Sequence, residues 1–404
     1  MGPHLNEWLS LALRWLHVVA GVVWIGESFY FMWLDASLEK LDDTPEGVKG
    51  ESWSVHGGGF YRVLKFQVAP PVMPKTLHWF VWEAMTAWGS GIFLLAVVYW
   101  MQAEAYMVDL GVADLSAMQA VGVGLGSILL GITGYEIVVR SPLKSNHAAV
   151  GAVLAAYFGA WAWGLSELLA PRAAYIHMGA MLGSVMANNV AGVIIPNQRK
   201  MVKTMVDGGV VDPALGAIAK LRSTHNNYLT LPVIFVMISN HYPSTYGHPW
   251  NWLVLIGLFL VGALARVFFN LRNSGKDMPA LLVLAFAGFV ATALLTAPWP
   301  KAEEAPATGE ATPAPEVPSF AEVEVLIAEH CRGCHSANPT DDIFKVAPLG
   351  VKYDTPAEIR AKATLIKTRT VDTKTMPFGN KTGMTDDERA LLGRWIDAGA
   401  PGPE

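Results

Sequence analysis

The sequence predicts an all-α protein: a polytopic helical membrane bundle of about eight helices, a tether, and a small helical domain built around a covalent cofactor. Three observations predict it. Apolar runs long enough to cross a bilayer recur through residues 1–297. The composition is 52% hydrophobic and only 16% charged, where a soluble chain would carry about 25% charged residues. The only two cysteines, Cys331 and Cys334, fall in CRGCH, the C-x-x-C-H spacing of c-type haem attachment.

The apolar runs are 9–34, 78–101, 118–139, 147–169, 173–195, 228–242, 250–270 and 279–297. The sixth is the weakest, being short and containing Pro232. Loop charge orients the set. Lys40, Lys49, Arg62, Lys65 and Lys75 follow the first run, and Arg140 and Lys144 the third. Arg199, Lys200, Lys203, Lys220 and Arg222 follow the fifth, and Arg272 and Lys276 the seventh, whereas the alternate loops hold only Arg172. By the positive-inside rule the first set is cytoplasmic and both termini lie outside. The N-terminus has no basic segment or small-residue cleavage site, so no removable signal peptide is expected. Gly122, Gly126, Gly131 and Gly134 would let helix backbones approach closely. A net charge of −5 argues against nucleic acid as a partner.

Residues 298–318, PWPKAEEAPATGEATPAPEVP, form a Pro/Ala/Glu-rich tether. Residues 319–404 follow as a small domain of class I cytochrome c type. Ser319 with Glu322, and Thr385 with Glu388, are capping-box pairs that open its first and last helices. Cys331 and Cys334 would form thioethers to haem, and His335 would ligate the iron. A redox dithiol would want a thioredoxin-like βαβ context, which is not visible. Met376, in TMPFGN, is the expected second iron ligand, with Met384 assigned to core packing. So small a domain has little core of its own, and haem would pack on Phe320, Leu326, Leu391, Trp395 and Ile396. Covalent haem attachment in bacteria happens outside the cytoplasm, which agrees with the loop charges and makes the domain periplasmic.

Ionisable groups inside membrane spans are costly and are functional candidates. An outer group contains His17, His177 and His241, and an inner group contains Glu27, His78, Glu83, Glu136, Arg140, Asn188, Asn189 and His225. Histidines facing each other from two helices suit b-type haem, with His17–His177 as the outer pair and His78–His225 as the inner one. The bland alternative is helix–helix hydrogen bonding. The inner group suits a small, planar, partly anionic substrate. Arg140 would meet an oxyanion, and the amides of Asn188, Asn189, Asn226 and Asn227, the last two in the stretch that leads into the sixth run, would bond ring edges. Glu27, Glu83 or a neutral histidine such as His225 would take a proton as electrons leave.

Three stretches carry a resemblance: LRWLHVVAGVVWIGESFYFMWLD (13–35), KTLHWFVWEAMTAWGSG (75–91) and CRGCH…TMPFGN…MTDDERALLGRWIDAGAP. Together they resemble the membrane-anchored bacterial urate oxidases, in which an eight-helix membrane domain is fused to a C-terminal cytochrome c. The first stretch is also similar to haem-dependent protoporphyrinogen oxidases, whose first-helix histidine binds b-type haem, which implies that role for His17. The resemblance implies oxidation of urate to 5-hydroxyisourate in purine breakdown, at the bacterial inner membrane. Electrons would pass through the c-type haem to a cytochrome c or terminal oxidase, without direct peroxide release. An inner substrate and an outer haem are separated by much of a hydrocarbon core about 30 Å thick, so one or two b-type haems are expected between them. The rival reading is an electron-transfer subunit, linked to quinol or a partner, with no urate chemistry. A haem–copper oxidase relative would need more clustered histidines.

Overall fold

A computed structural model describes residues 3–68, 70–109, 111–297 and 317–403. The first helix, α1, is Pro3–Ala36. A hairpin follows, β1 Val48–His56 and β2 Gly59–Phe66. Then come α2 Trp82–Val98, α3 Ala117–Arg140, α4 His147–Ser166 and α5 Pro171–Val206. The helical domain ends with α6 Pro213–Ser239, α7 Asn251–Asn273 and α8 Pro279–Leu295. The C-terminal domain is framed by α9 Phe320–His330 and α10 Asp386–Asp397. Most of the expected tether, 298–316, lies outside the described residues.

A helix stands at each of the eight expected positions, but six of them are long and apolar enough to cross a membrane. The two exceptions are α6, which carries a polar run, and α8, which is 17 residues long. The sixth helix also begins well before the expected residue 228. Asp212 accepts a bond from the Ala214 amide at 2.9 Å and Pro213 occupies the first turn, so the helix starts there. Thr224, His225, Asn226 and Asn227, which precede the expected start at residue 228, are therefore helix interior.

The segment after α1 corrects the all-α expectation. It folds as an antiparallel hairpin pairing Trp53 with Arg62 and His56 with Gly59. Its two turn residues, Gly57 and Gly58, have φ of 59° and 80°, the left-handed pair a two-residue hairpin turn needs. Glu51, buried on β1, accepts bonds from Arg62 Nε at 3.0 Å and Nη2 at 2.5 Å.

The core runs along α5, where Tyr175, Met178, Met181 and Val185 are fully buried. This helix passes Pro196 through a π-helical turn, Asn189–Ile194. Proline has no N–H to close an α-turn, and the wider turn absorbs the misfit. At the α3 crossing, a Cβ on Gly131 would strike the Met181 side chain, and one on Gly124 would lie 2.5 Å from His177 Nε2. The outer faces remain apolar, with Trp15, Val22, Leu129, Ile137 and Phe286 exposed, a surface compatible with lipid contact.

In the C-terminal domain both capping boxes close as expected. Trp395, Ile327, Val323 and Ile359 form a buried core that also contains Met384 and Phe320. This domain sits against the end of the helical domain opposite the hairpin, touching the 103–108 segment and Gly247.

Candidate functional site

Two cavities lie end to end between α1, α2, α5 and α6, sharing a wall made by Trp24, Ile25 and Met186. The inner cavity, on the hairpin side, has a volume of about 520 Å³. Its walls mix aromatic faces (Phe31, Trp79, Phe80) with polar groups (Glu27, Ser28, His78, Gln198, Asn226). Lys65 from the hairpin and Lys220 from α6 both donate to Asp35, and all three line the cavity.

Glu83 stands beside this cavity. Its Oε1 is 3.6 Å from His78 Nε2, and its buried Oε2 has no hydrogen-bond partner. Glu27 is close enough to interact electrostatically with both Glu83 and His78. A buried carboxylate oxygen without a donor is costly, and a substrate N–H would satisfy it.

The other inner candidates form a separate and closed network. Arg222 grips Glu136 with two bonds, Nη1–Oε1 at 3.0 Å and Nη2–Oε2 at 2.9 Å. Arg140 donates to Glu136 Oε2 at 2.7 Å, and Asn188 Nδ2 donates to Oε1 at 3.0 Å. Asn189 donates to the Tyr135 hydroxyl at 2.9 Å and to Asn226 Oδ1 at 2.8 Å, and it accepts from Arg222 at 3.0 Å. The Tyr135 hydroxyl also bonds His225 Nδ1 at 2.9 Å. Asn188 reaches α3 alone, and Asn189 bridges α3 and α6. The expected single cluster is therefore two groups. Glu27 and His78 line the cavity with Glu83 behind His78, while Glu136, Arg140, Asn188, Asn189 and His225 form a network behind Asn226. The expected oxyanion partner Arg140 has its guanidinium on Glu136 instead.

Sequence reasoning missed Arg222, Tyr135, Lys220 and Asp35 as members of these groups. It placed Arg222 and Lys220 in a loop because the Asp212–Pro213 helix start was not read. It also missed Arg266, which is buried, bonds Asn227 Oδ1 at 3.1 Å through Nη2, and lies 3.9 Å over the Phe29 ring.

The outer cavity, about 230 Å³, is mostly apolar and is walled by small residues, including Gly21, Ala87, Gly91, Gly179 and Gly183. His17 lines it. Its Nδ1 bonds the Ala87 carbonyl at 2.9 Å and Ser90 Oγ at 3.2 Å, which orients the ring and leaves Nε2 without a hydrogen bond among the described residues. Gly91 is required here, because a Cβ would lie 2.9 Å from His17 Cε1. The expected partner of His17 is not available. His177 donates from Nδ1 to the Ala173 carbonyl at 2.8 Å and accepts at Nε2 from Trp100 Nε1 at 3.1 Å, so both of its nitrogens are used. The inner pair fails similarly: His78 lines the inner cavity, but His225 turns to Tyr135.

In the C-terminal domain, α9 delivers the CRGCH turn. The Cys331 amide closes onto Ile327, and the His335 amide onto Cys331. His335 Nδ1 donates to the Val351 carbonyl at 3.0 Å, which fixes the tautomer with Nε2 available to a metal. Burial pushes the Cys331 thiol up to about 12 and the Cys334 thiol up to about 11. Neither is a thiolate at neutral pH, unlike a redox-active dithiol. Met384 is buried in the core, while Met376 is half-buried on the loop before it. Two cysteines, a histidine with an oriented ring and a half-buried methionine are the donor types that a covalently attached haem uses.

The comparison with known families can now be set against this geometry. A family model described as urate oxidase N-terminal matches residues 3–297. The chain belongs to the urate oxidase N-terminal family. No curated protein and no solved structure matches it. The family region spans the whole helical domain and contains both cavities, so within this urate oxidase N-terminal region the inner cavity is the candidate substrate site. The CRGCH domain lies outside the match.

Proposed function

We propose that the protein oxidises urate to 5-hydroxyisourate in the inner cavity and passes the electrons outward to its C-terminal domain. The observation that carries this reading is the buried Glu83 Oε2, which has no hydrogen-bond partner among the described residues and stands beside His78 and Glu27 within the region that matches the urate oxidase family. Urate is planar and anionic. The aromatic walls suit its faces, and Gln198 and Asn226 suit its edges. Lys65 and Lys220 share one carboxylate, Asp35, which leaves that group one positive charge for an anion. The overall change is urate plus water to 5-hydroxyisourate, two protons and two electrons. Glu83 or Glu27 accepts a proton from substrate or attacking water. The closed Glu136–Arg222 network holds Asn226 in place through Asn189.

We assign a c-type haem to Cys331, Cys334, His335 and Met376; a b-type haem with His17 as a ligand rests on the likeness of the first sequence stretch, because a cavity of about 230 Å³ is smaller than a haem. When bound, these groups supply one-electron redox chemistry. The outer cavity is mostly apolar around His17, and the Ala87 carbonyl holds the His17 ring in one orientation. The protein is placed in a bacterial inner membrane with both termini outside and the C-terminal domain periplasmic. There a cytochrome c or terminal oxidase would take the electrons.

Mixing purified, haem-loaded protein with urate and following the c-type haem absorption tests the function. Reduction by urate is expected. Reduction by quinol and not by urate would replace this reading with that of an electron-transfer subunit. A pyridine haemochrome assay tests the second cofactor, and finding haem c alone would remove the b-type haem.

A further inference from the structure

The contact between the two domains is built, and on both sides. Tyr106, on the short helix Ala103–Tyr106, packs its ring 4.8 Å from that of Phe378 and 6.1 Å from that of Phe344. On its other side it meets Tyr99, 5.8 Å away, and the Arg172 guanidinium, 5.9 Å away. Arg172 is itself fixed by Asn240 at 2.8 Å. Tyr99 and Asn240 line the outer cavity. Phe378 stands two residues after Met376. The loop that carries both is held by Arg389, which donates to the Met376 carbonyl at 2.6 Å and to Asn380 Oδ1 at 3.0 Å. Two glycines make the approach possible. A Cβ on Gly379 would lie 2.7 Å from the Val108 carbonyl oxygen, and one on Gly247 would lie 2.8 Å from both Cβ and O of Thr373.

We propose that this contact is the electron exit of the helical domain. It is a dedicated docking surface for the protein's own C-terminal domain, in which the ring series Tyr99–Tyr106–Phe378 bridges the outer cavity and the Met376 loop. The proposal rests on the functional reading above. One electron crosses per step, reducing ferric iron in the C-terminal domain to ferrous, and the two-electron oxidation of urate is the source. The face that docks inward is also the face carrying the Met376 loop, so the domain serves its own helices and an external acceptor in turn, not together.

The test uses the full, haem-loaded chain in detergent. Tyr106→Leu removes the aromatic pairing without touching the C-terminal domain. It is expected to slow urate-driven reduction of the c-type haem about three- to tenfold, the population shift that follows from losing one aromatic pair. Reduction by ascorbate, the absorption spectrum and the midpoint potential stay unchanged. Gly247→Leu acts as a wedge against Thr373 and is read without turnover. The two native cysteines are consumed in thioethers, so nitroxide labels at Asp114→Cys and Glu329→Cys report the distance between domains by pulsed electron paramagnetic resonance. The wedge should lengthen that distance. An unchanged rate in Tyr106→Leu, or an unchanged distance in Gly247→Leu, overturns the proposal. If unsubstituted protein is not reduced by urate, the urate reading falls, and the distance measurement still decides the docking.

Discussion

At the scale of single residues, the inner cavity makes the sharpest claim. Glu83→Gln should lower urate turnover by about 10²-fold or more, the usual contribution of a general base, with haem content unchanged. Native turnover in both Glu83→Gln and Glu27→Gln would move the base elsewhere. In the C-terminal domain, Met384→Leu should keep the haem spectrum and cost less than about 1.5 kcal/mol, whereas Met376→Ala should lower the midpoint potential because the thioether that raises it is gone. A fall in potential in Met384→Leu alone would reverse the ligand assignment. Asp341 gives a pH dependence. Burial pushes its carboxyl up, but Lys381 and the backbone N–H groups of Phe344 and Ile343 outweigh this and hold it at about 2. A depressed carboxylate stabilises the fold above its unfolded pKa. The domain should therefore lose stability as pH falls from about 4 towards 2, and acid titration of thermal unfolding in Asp341→Asn should show a flatter profile there. The identity of these residues was legible in the sequence, but their grouping was not. Glu136 and Glu83 look alike as intramembrane carboxylates, and only the partner Arg222, hidden by a misread helix start, tells a brace from a reactive group.

At the scale of elements, hydrophobic periodicity and length located every helix of the bundle, because burying an apolar stretch of that length admits few alternatives. What it could not show was interruption and extension. The π-turn at Asn189–Ile194 arises from Pro196 acting on a helix that tertiary packing keeps continuous. The hairpin arises from paired glycines inside a segment that reads as a charged loop. The capping boxes at Ser319 and Thr385 were legible because each is a local bond between residues three apart. The α3–α5 crossing yields a prediction at this scale. Gly124→Ala drives a methyl into the His177 ring and should cost about 1–3 kcal/mol by overpacking, measured as a lowered thermal midpoint in detergent. Arg222→Met should cost about 3 kcal/mol or more by leaving Glu136 without its bidentate partner. An unchanged midpoint there would show that Arg140, four residues along the same helix, and Asn188 suffice to compensate Glu136.

At the scale of the whole molecule, the two ends differ in kind: lysines, a hairpin and a polar cavity at one, an aromatic contact with a second domain at the other. The order of domains and their boundaries could be read along the chain, since composition changes sharply at residue 298. The face on which they meet could not, because Tyr106 and Phe378 are far apart in sequence and the TMPFGN stretch that holds Phe378 points to a ligand and not to a partner surface. The shared wall of Trp24, Ile25 and Met186 has an electrical consequence. On the proposed function and orientation, protons released in the inner cavity return to the inner side while electrons continue outward, so each turnover carries net negative charge across the bilayer. An inside-negative membrane potential then drives the reaction forward, by about 2.3 kcal/mol per electron for each 100 mV crossed in full. In sealed vesicles, urate oxidation should accelerate when the potential is imposed inside-negative and slow when it is collapsed. A rate indifferent to voltage would mean that urate meets the protein on the same side as the electrons leave it.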